Sequence, residues 1–332
     1  MDMMKALVYE GPRVMNIREV PVPGLRDDEV LVRIEVAGIC GSELGGYLGH
    51  NSLRKPPLIM GHEFSGVVER VGVGVEGFTK GDRVTANPLV TCGACRYCRI
   101  GETQLCVTRQ LLGAHRPGAF AEYAAVPASN VYKLDQGVSF EEGALVEPFA
   151  CAVHACRLLR LRPDDRLLIY GAGPIGLFVL QAAQASGLKE IVVADLNESR
   201  LEIVAELGGI PVRSADDSAP DGGFDAVVDA VGAEVTRRNS VEAARPGGTV
   251  LFTGLHEAES RLPINDMIRS EIGTLGAFAY SREDFETALK WIGEGRTNLL
   301  PWSETAPLEE GGACFEKLVS GPGKVAKIFL AL

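Results

Sequence analysis

The chain has 332 residues, 46% of them hydrophobic and 23% charged, and a formal net charge of −11. Those proportions suit a folded protein too long for one ordinary core, so two domains are expected. The acidic balance argues against a nucleic-acid or anionic-membrane partner, which needs clustered Lys and Arg. No apolar run reaches the roughly 18 residues of a membrane span.

The first residues, MDMMKALVYEG, show no apolar core with a cleavage site, so a cytoplasmic location is expected. Disulfides are rare there, and eight cysteines need another use. Met1 to about Ala150 reads as mostly β: Val30–Val36 is β-branched and largely alternating, and GHEFSGVVERVG (61–72) gives strand, glycine turn, strand. Cys92, Cys95, Cys98 and Cys106 then form C-x2-C-x2-C-x7-C. In a reducing compartment such thiolates converge on one tetrahedral ion, with no position left open for chemistry. A structural zinc lobe over 88–110 is the expectation. The rivals are an iron–sulfur cluster and incidental thiols, and the bacterial ferredoxin run has a shorter last gap followed by proline.

A helix is predicted over Pro148–Leu159, with the proline in its first turn. A βαβ alternation follows: strand Arg166–Tyr170, helix Pro174–Ser186, strand Glu190–Ala194, helix Glu198–Leu207, strand Phe224–Ala230, helix Glu234–Ala244 and strand Thr249–Gly254. This predicts a doubly wound parallel sheet. Only a polar loop separates Val212 from Phe224. Helices Arg282–Gly293 and Gly311–Val319 and a strand Ala326–Leu330 are expected to complete the first domain. The predicted division is 1–148 with 274–332 against 149–273.

Strand Arg166–Tyr170 leads into Gly171-Ala172-Gly173-Pro174-Ile175-Gly176. The first glycine makes the tight turn and the second lets backbone approach a pyrophosphate. The third allows helix to pack on strand. Asp195, at the end of the next strand, offers a carboxylate to ribose hydroxyls and repels a 2′-phosphate, which favours NAD over NADP. Arg200 lies close enough in sequence to bear on that choice. Val231 and Gly254 complete the candidate cofactor residues.

A second ligand set is dispersed: Cys40 in AGICGSE, His62-Glu63 in GHE, and Glu147 in LVEPFA. A catalytic zinc needs about three protein ligands and an open position. Neighbours on an extended strand face opposite ways, so His62 and Glu63 share an ion only across an irregular turn. Glu147, read as just before a helix, also suits an acid placed by the helix dipole. His62 alone reads as a satisfied core histidine.

Together these segments, with GDRV (81–84), GAFAEY (118–123), LVEPFACAVHA and GAGPIG, resemble the zinc-dependent medium-chain dehydrogenases over nearly the whole chain. The resemblance implies an α/β architecture with a GroES-like, mostly β catalytic domain and an inserted Rossmann domain. The Glu147-Pro148 pair resembles the polyol branch, which includes sorbitol, threonine, butanediol and galactitol-1-phosphate dehydrogenases. By resemblance Cys40 and His62 are zinc ligands, and Glu63 and Glu147 are ligands or near-ligands that exchange with water. Ser42 takes part in moving the substrate proton. Two zinc ions per chain, NAD, a small alcohol or ketone that carries a phosphate in some relatives, and a homodimer or homotetramer follow as expectations. Many relatives carry a relay histidine where this chain has Gly45. The rivals are a catalytically impaired NAD-binding or structural protein of the same fold and a reductase of C=C bonds, whose members generally lack both zinc sites. Arg54, Lys55 and Arg116 read as solvated loop charges. Cys151, Cys156 and Cys314 read as core thiols, and His50, His115 and His154 have no supporting constellation.

Overall fold

A computed structural model describes residues 2–50, 53–213 and 222–332. Most of the polar loop expected after Val212 lies outside the described residues. The chain divides into two compact units, Met1–Glu147 with Ser281–Leu332, and Pro148–Tyr280.

In the first unit β1 (Met3–Gly11) and β2 (Val14–Pro21) pair antiparallel. The Val- and Ile-rich β3 (Glu29–Gly38) is buried over most of its length, as a strand covered on both faces must be. The short α1 (Gly41–Tyr47) follows it closely, β4 (Leu58–Ile59) adds to β1, and β5 (Glu63–Val71) returns beside β3. Next comes β6 (Arg83–Ala86), beside β5. The cysteine lobe holds β7 (Leu89–Val90), α2 (Arg96–Arg99) and β8 (Gln110–Leu111). Then β9 (Tyr123–Pro127) pairs with β3 and β10 (Val131–Lys133) with β6. The core of this unit gathers Val30, Val32, Ile34, Phe64, Val68 and Phe120.

Helix α3 runs from Phe140 to Leu159, so it begins well before Pro148, which lies inside it. The cause is a capping box: Glu142 N donates to Ser139 Oγ at 3.1 Å and Ser139 N to Glu142 Oε2 at 2.7 Å. Glu147 is therefore mid-helix, and the helix dipole does not account for it.

The second unit is a six-stranded parallel sheet. It is built from β11 (Arg166–Tyr170), α4 (Pro174–Ala185), β12 (Glu190–Ala194), α5 (Glu198–Glu206), β13 (Ile210–Val212), β14 (Phe224–Asp229), α6 (Glu234–Ala243), β15 (Ala244–Phe252), α7 (Ile264–Arg269) and β16 (Gly273–Gly276). The order β13-β12-β11-β14-β15-β16 reverses direction at β11, which opens a crevice beyond the carboxyl ends of β11 and β14. The return to the first unit falls at Ser281, later than the expected 274. The reason is β16, which pairs parallel with β15 from Thr249↔Gly273 to Phe252↔Gly276. Back in the first unit come α8 (Arg282–Gly293), β17 (Ser303–Pro307), α9 (Gly311–Ser320) and β18 (Lys327–Ala331). Here β18 lies between β3 and β17, which gives the sheet order β10-β6-β5-β3-β18-β17.

Candidate active site

Cys40 sits between β3 and α1 with extended backbone, φ −92° and ψ 148°. Gly61, at φ +99°, supplies the irregular turn before β5. A Cβ there would lie 2.7 Å from Phe120 N, so both its conformation and its surroundings call for glycine. Across this turn His62 and Glu63 converge, and the ligand atoms of Cys40, His62 and Glu63 all lie within 4.8 Å of one another. Gly38 on β3 leaves room for the carboxylate, since a Cβ there would meet Glu63 Oε2 at 2.6 Å.

Two buried groups that sequence reasoning missed hold this cluster. Glu43, in the first turn of α1, places Oε1 at 2.8 Å from His62 Nδ1 and accepts from Gly61 N at 2.8 Å and, through Oε2, from Cys40 N at 3.0 Å. That occupies Nδ1 and leaves Nε2 for a metal. Lys327, on β18, donates from Nζ to Glu63 Oε2 at 2.5 Å and to Ile39 O at 3.1 Å. The other oxygen, Glu63 Oε1, is buried without a hydrogen-bond partner among the described residues. A thiol, an imidazole nitrogen and an orphaned carboxylate oxygen at this spacing form a donor set that fits zinc.

Electrostatics follow from these contacts. Burial pushes the His62 pKa down, but the charges of Glu43 and Cys40 and their hydrogen bonds outweigh it and raise it well above its ordinary value. Burial also opposes ionisation of Glu43, and the charges of His62 and Arg54 more than offset this and hold its carboxyl below the usual range. For Lys327 the same contest between burial and the carboxylates of Glu63 and Glu147 and the Cys40 thiolate leaves its pKa raised.

Ser42 Oγ donates to Cys40 Sγ at 3.3 Å and accepts from Arg54 Nη2 at 3.0 Å. Arg54 is thus a buried residue, 4% exposed, rather than the solvated charge expected of it. Arg116 also departs from that expectation: it is held against Glu29, with Nη2 2.5 Å from Oε1. Glu147 is buried and acts on Lys327 by charge, but its oxygens do not come within 4.8 Å of all three cluster atoms.

In the lobe, Cys92, Cys95, Cys98 and Cys106 carry free thiols with Sγ atoms within 4.8 Å of one another. Three of the S···S separations are 3.5, 3.6 and 3.9 Å. Tetrahedral zinc with Zn–S near 2.3 Å requires edges of about 3.8 Å. Backbone N–H groups of Cys92 and Cys95 donate to sulfur at 3.5 and 3.4 Å, as suits thiolates.

In the second unit a Cβ on Gly176 would lie 1.8 Å from Gly171 O, so the third glycine is demanded by the turn itself. Gly173 is different: a Cβ there would find only Arg200 Nη1, at 4.0 Å, which leaves the space a pyrophosphate would take. Pro174 is the first residue of α4, followed by Ile175. Asp195 accepts from Ala172 N at 2.6 Å and Asn197 N at 2.8 Å. Arg200 has a buried Nε with no hydrogen-bond partner among the described residues. Sequence reasoning also missed Asp229, fully buried at the end of β14, which accepts from Val231 N and Gly232 N at 3.0 Å. There Gly254 packs on Gly232 so closely that a Cβ on Gly254 would lie 2.2 Å from Gly232 N.

Residues 26–136 match the family description "Alcohol dehydrogenase GroES-like domain" and residues 174–294 match "Zinc-binding dehydrogenase". A probable D-xylulose reductase A of Aspergillus clavatus is 32% identical, over 96% of this chain and 94% of its own. An L-galactonate-5-dehydrogenase of Escherichia coli K12 is 34% identical, over 89% of each chain. Among solved structures, an alcohol dehydrogenase of Escherichia coli CFT073 complexed with NADH superposes with a TM-score of 0.93 at 29% identity, covering 100% of both chains. The chain belongs to the zinc-binding alcohol dehydrogenases, in the medium-chain branch that contains these polyol and sugar-acid enzymes.

Proposed function

We propose that this chain catalyses hydride transfer between NAD and a small polyhydroxylated secondary alcohol, or its ketone, at the cluster of Cys40, His62 and Glu63. The observation that carries this reading is the buried, unpartnered Glu63 Oε1 beside a thiol and an imidazole whose second nitrogen is already engaged. Zinc held there would supply a Lewis acid that lowers the pKa of an alcohol hydroxyl or polarises a ketone, and NAD would take or return the hydride.

This chain's residues do the rest. Glu43 fixes the His62 ring, and Lys327 holds one oxygen of Glu63 while leaving the other free. Ser42, half-exposed beside Cys40, is placed to accept the proton of the substrate hydroxyl while releasing its own to solvent. Glu147 adds negative charge near Lys327, which helps keep that lysine protonated beside Glu63. In the second unit the open face of Gly173 receives the pyrophosphate and Asp195 the adenosine ribose. The four lobe cysteines hold a second, structural zinc. No helix of the described residues is long and apolar enough to cross a membrane. A homodimer or homotetramer completes the reading, by kinship with the family.

The test is a screen for reduction of NAD and NADP across sugar alcohols, sugar acids, their phosphates, threonine and butanediol, with zinc measured in the same samples. Turnover on a polyol or sugar acid, with NAD preferred and about two zinc ions per chain, is the expected result. Full zinc loading without turnover on any of them would sink the assignment.

A further inference from the structure

In the second unit β14 carries an aspartate near each end, and each faces an arginine. Near the amino end, Asp225 accepts from Arg245 Nε at 2.6 Å and from Arg166 N at 2.8 Å. At the carboxyl end Asp229 is fully buried, and Arg237 Nε lies 3.9 Å from its Oδ2. Ligands of doubly wound sheets bind beyond the carboxyl ends of the strands, so of the two pairs the second stands where a dinucleotide would.

The two members of that pair hold different loops. Asp229 takes Val231 N and Gly232 N, each at 3.0 Å, which fixes the loop after β14. Val231 thereby lies over the phosphate turn: a Cβ on Gly171 would meet its Cγ2 at 2.8 Å. Arg237, in the first turns of α6, reaches the loop after β15. Its Nη1 donates to Ser260 Oγ at 2.7 Å, and its Nη2 donates to Glu257 O at 2.9 Å and to Gly254 O at 3.2 Å. Residues 255–259 are exposed, Leu255 by 80%, so apolar burial does little to place them. Hydrogen bonds have to place them, and a planar guanidinium serving three acceptors favours one geometry. Because Gly254 packs directly on Gly232, the two loops form one continuous wall, and the Asp229–Arg237 pair ties its halves together.

We infer that Arg237 is a positioning residue for the nicotinamide cofactor, fixing the 254–260 loop against the 230–232 loop before the dinucleotide arrives. A wall ordered in advance does not have to be ordered on binding, and the entropy that is not lost then appears as affinity. Arg237 keeps its proton at all working pH values, so the brace does not vary with pH. The inference rests on the assignment of the dinucleotide to this crevice, and the experiment separates the two.

The variants are Arg237→Met, Arg237→Lys and, as a control, Arg245→Met, each in the full chain. Each is measured for NADH Kd by fluorescence titration, for melting temperature, and for amide hydrogen exchange over residues 253–260. Arg237→Met should raise the Kd about tenfold, the cost of ordering a loosened loop. Its amides at 254–260 should exchange faster in the free protein and slow again once NADH saturates. KM for NAD should rise in step while kcat stays within about threefold, as expected when binding is lost uniformly. Arg237→Lys keeps the charge but not the fork, and should raise the Kd about threefold. Arg245→Met breaks the ion pair at the other end of the same strands, so it should lower the melting temperature and leave the Kd within about twofold. An unchanged Kd in Arg237→Met, or an equal rise in Arg245→Met, would make Arg237 a stabiliser of the sheet alone and leave the cofactor assignment standing. A wild type that does not bind NADH would overturn both. Should Arg237→Met fail to fold, Arg237→Lys decides, and an unchanged Kd there would count against the proposal.

Discussion

In the cysteine lobe every candidate ligand comes from fifteen consecutive residues, Cys92 to Cys106, and only Cys106 of the four is buried. The cluster of Cys40, His62 and Glu63 draws on two segments, and its supports reach to Lys327, 264 positions from Glu63. The lobe leaves Tyr97, Ile100, Leu105 and Val107 exposed, and a metal ion held by its four thiols would do the work of a core. The other cluster is cut into an existing core, where each charge has its own buried counterpart: Glu43 for His62 and Lys327 for Glu63. A site that shapes itself around an ion holds structure, and a site prepared before the ion arrives can leave a position open for chemistry.

The sharpest way to break this contrast is His62→Ala. It should bring turnover to background and lower zinc from about two ions per chain to about one, the lobe keeping its own. Loss of both ions in a folded protein would mean that the clusters are not independent.

Next in size is Lys327→Met. Lys327 and Glu63 are each 1% exposed, so removing one partner strands a buried charge, at a cost of about 3–5 kcal/mol in urea unfolding. Adding Glu63→Gln should recover much of this. A stability loss under about 1 kcal/mol would show that the pair does not shape the prepared site.

Glu43→Gln keeps an acceptor near His62 but removes the charge. Affinity for the active-site zinc should fall about 10–100-fold in competition with a chelator, with the lobe zinc unmoved. Equal weakening of both ions would point to general loosening of the fold.

The mildest expected effect on chemistry comes from the lobe. Cys95→Ser should release the lobe zinc and lower the melting temperature, while kcat per active-site zinc stays within about twofold. A collapse of kcat in folded, active-site-loaded protein would erase the division of labour.

The contrast also explains what could be read in the residues. Cys92, Cys95, Cys98 and Cys106 announce themselves because their ligand spacing is local, and the glycine turn before α4 does so because its backbone demands are local. The parallel strands were legible from short apolar runs. Pro148 misplaces the start of α3, which Ser139 and Glu142 mark by their capping-box spacing. Glu43 had a comparable signal, an acid three residues after Cys40 at a helix start. Lys327, one lysine in an apolar terminal strand, gained its meaning only when β18 came to lie beside β3. Arg54 could not have been told from its exposed neighbour Lys55, because what buries it is the missing side chain at Gly46.

The position of Lys327 has a consequence for how the chain is made. Chains emerge N-terminus first at about 5–20 residues per second, so Glu63 waits roughly 13–50 seconds for a partner 264 residues later. Until then β3 lacks β18 on one side, and a carboxylate destined for burial has no cation. Residues 148–280 are continuous and can close their own sheet during that interval. A nascent chain can therefore hold a completed parallel sheet while the β3 edge of the other sheet is still open, and the arrival of β18 both covers that edge and brings Lys327 to Glu63.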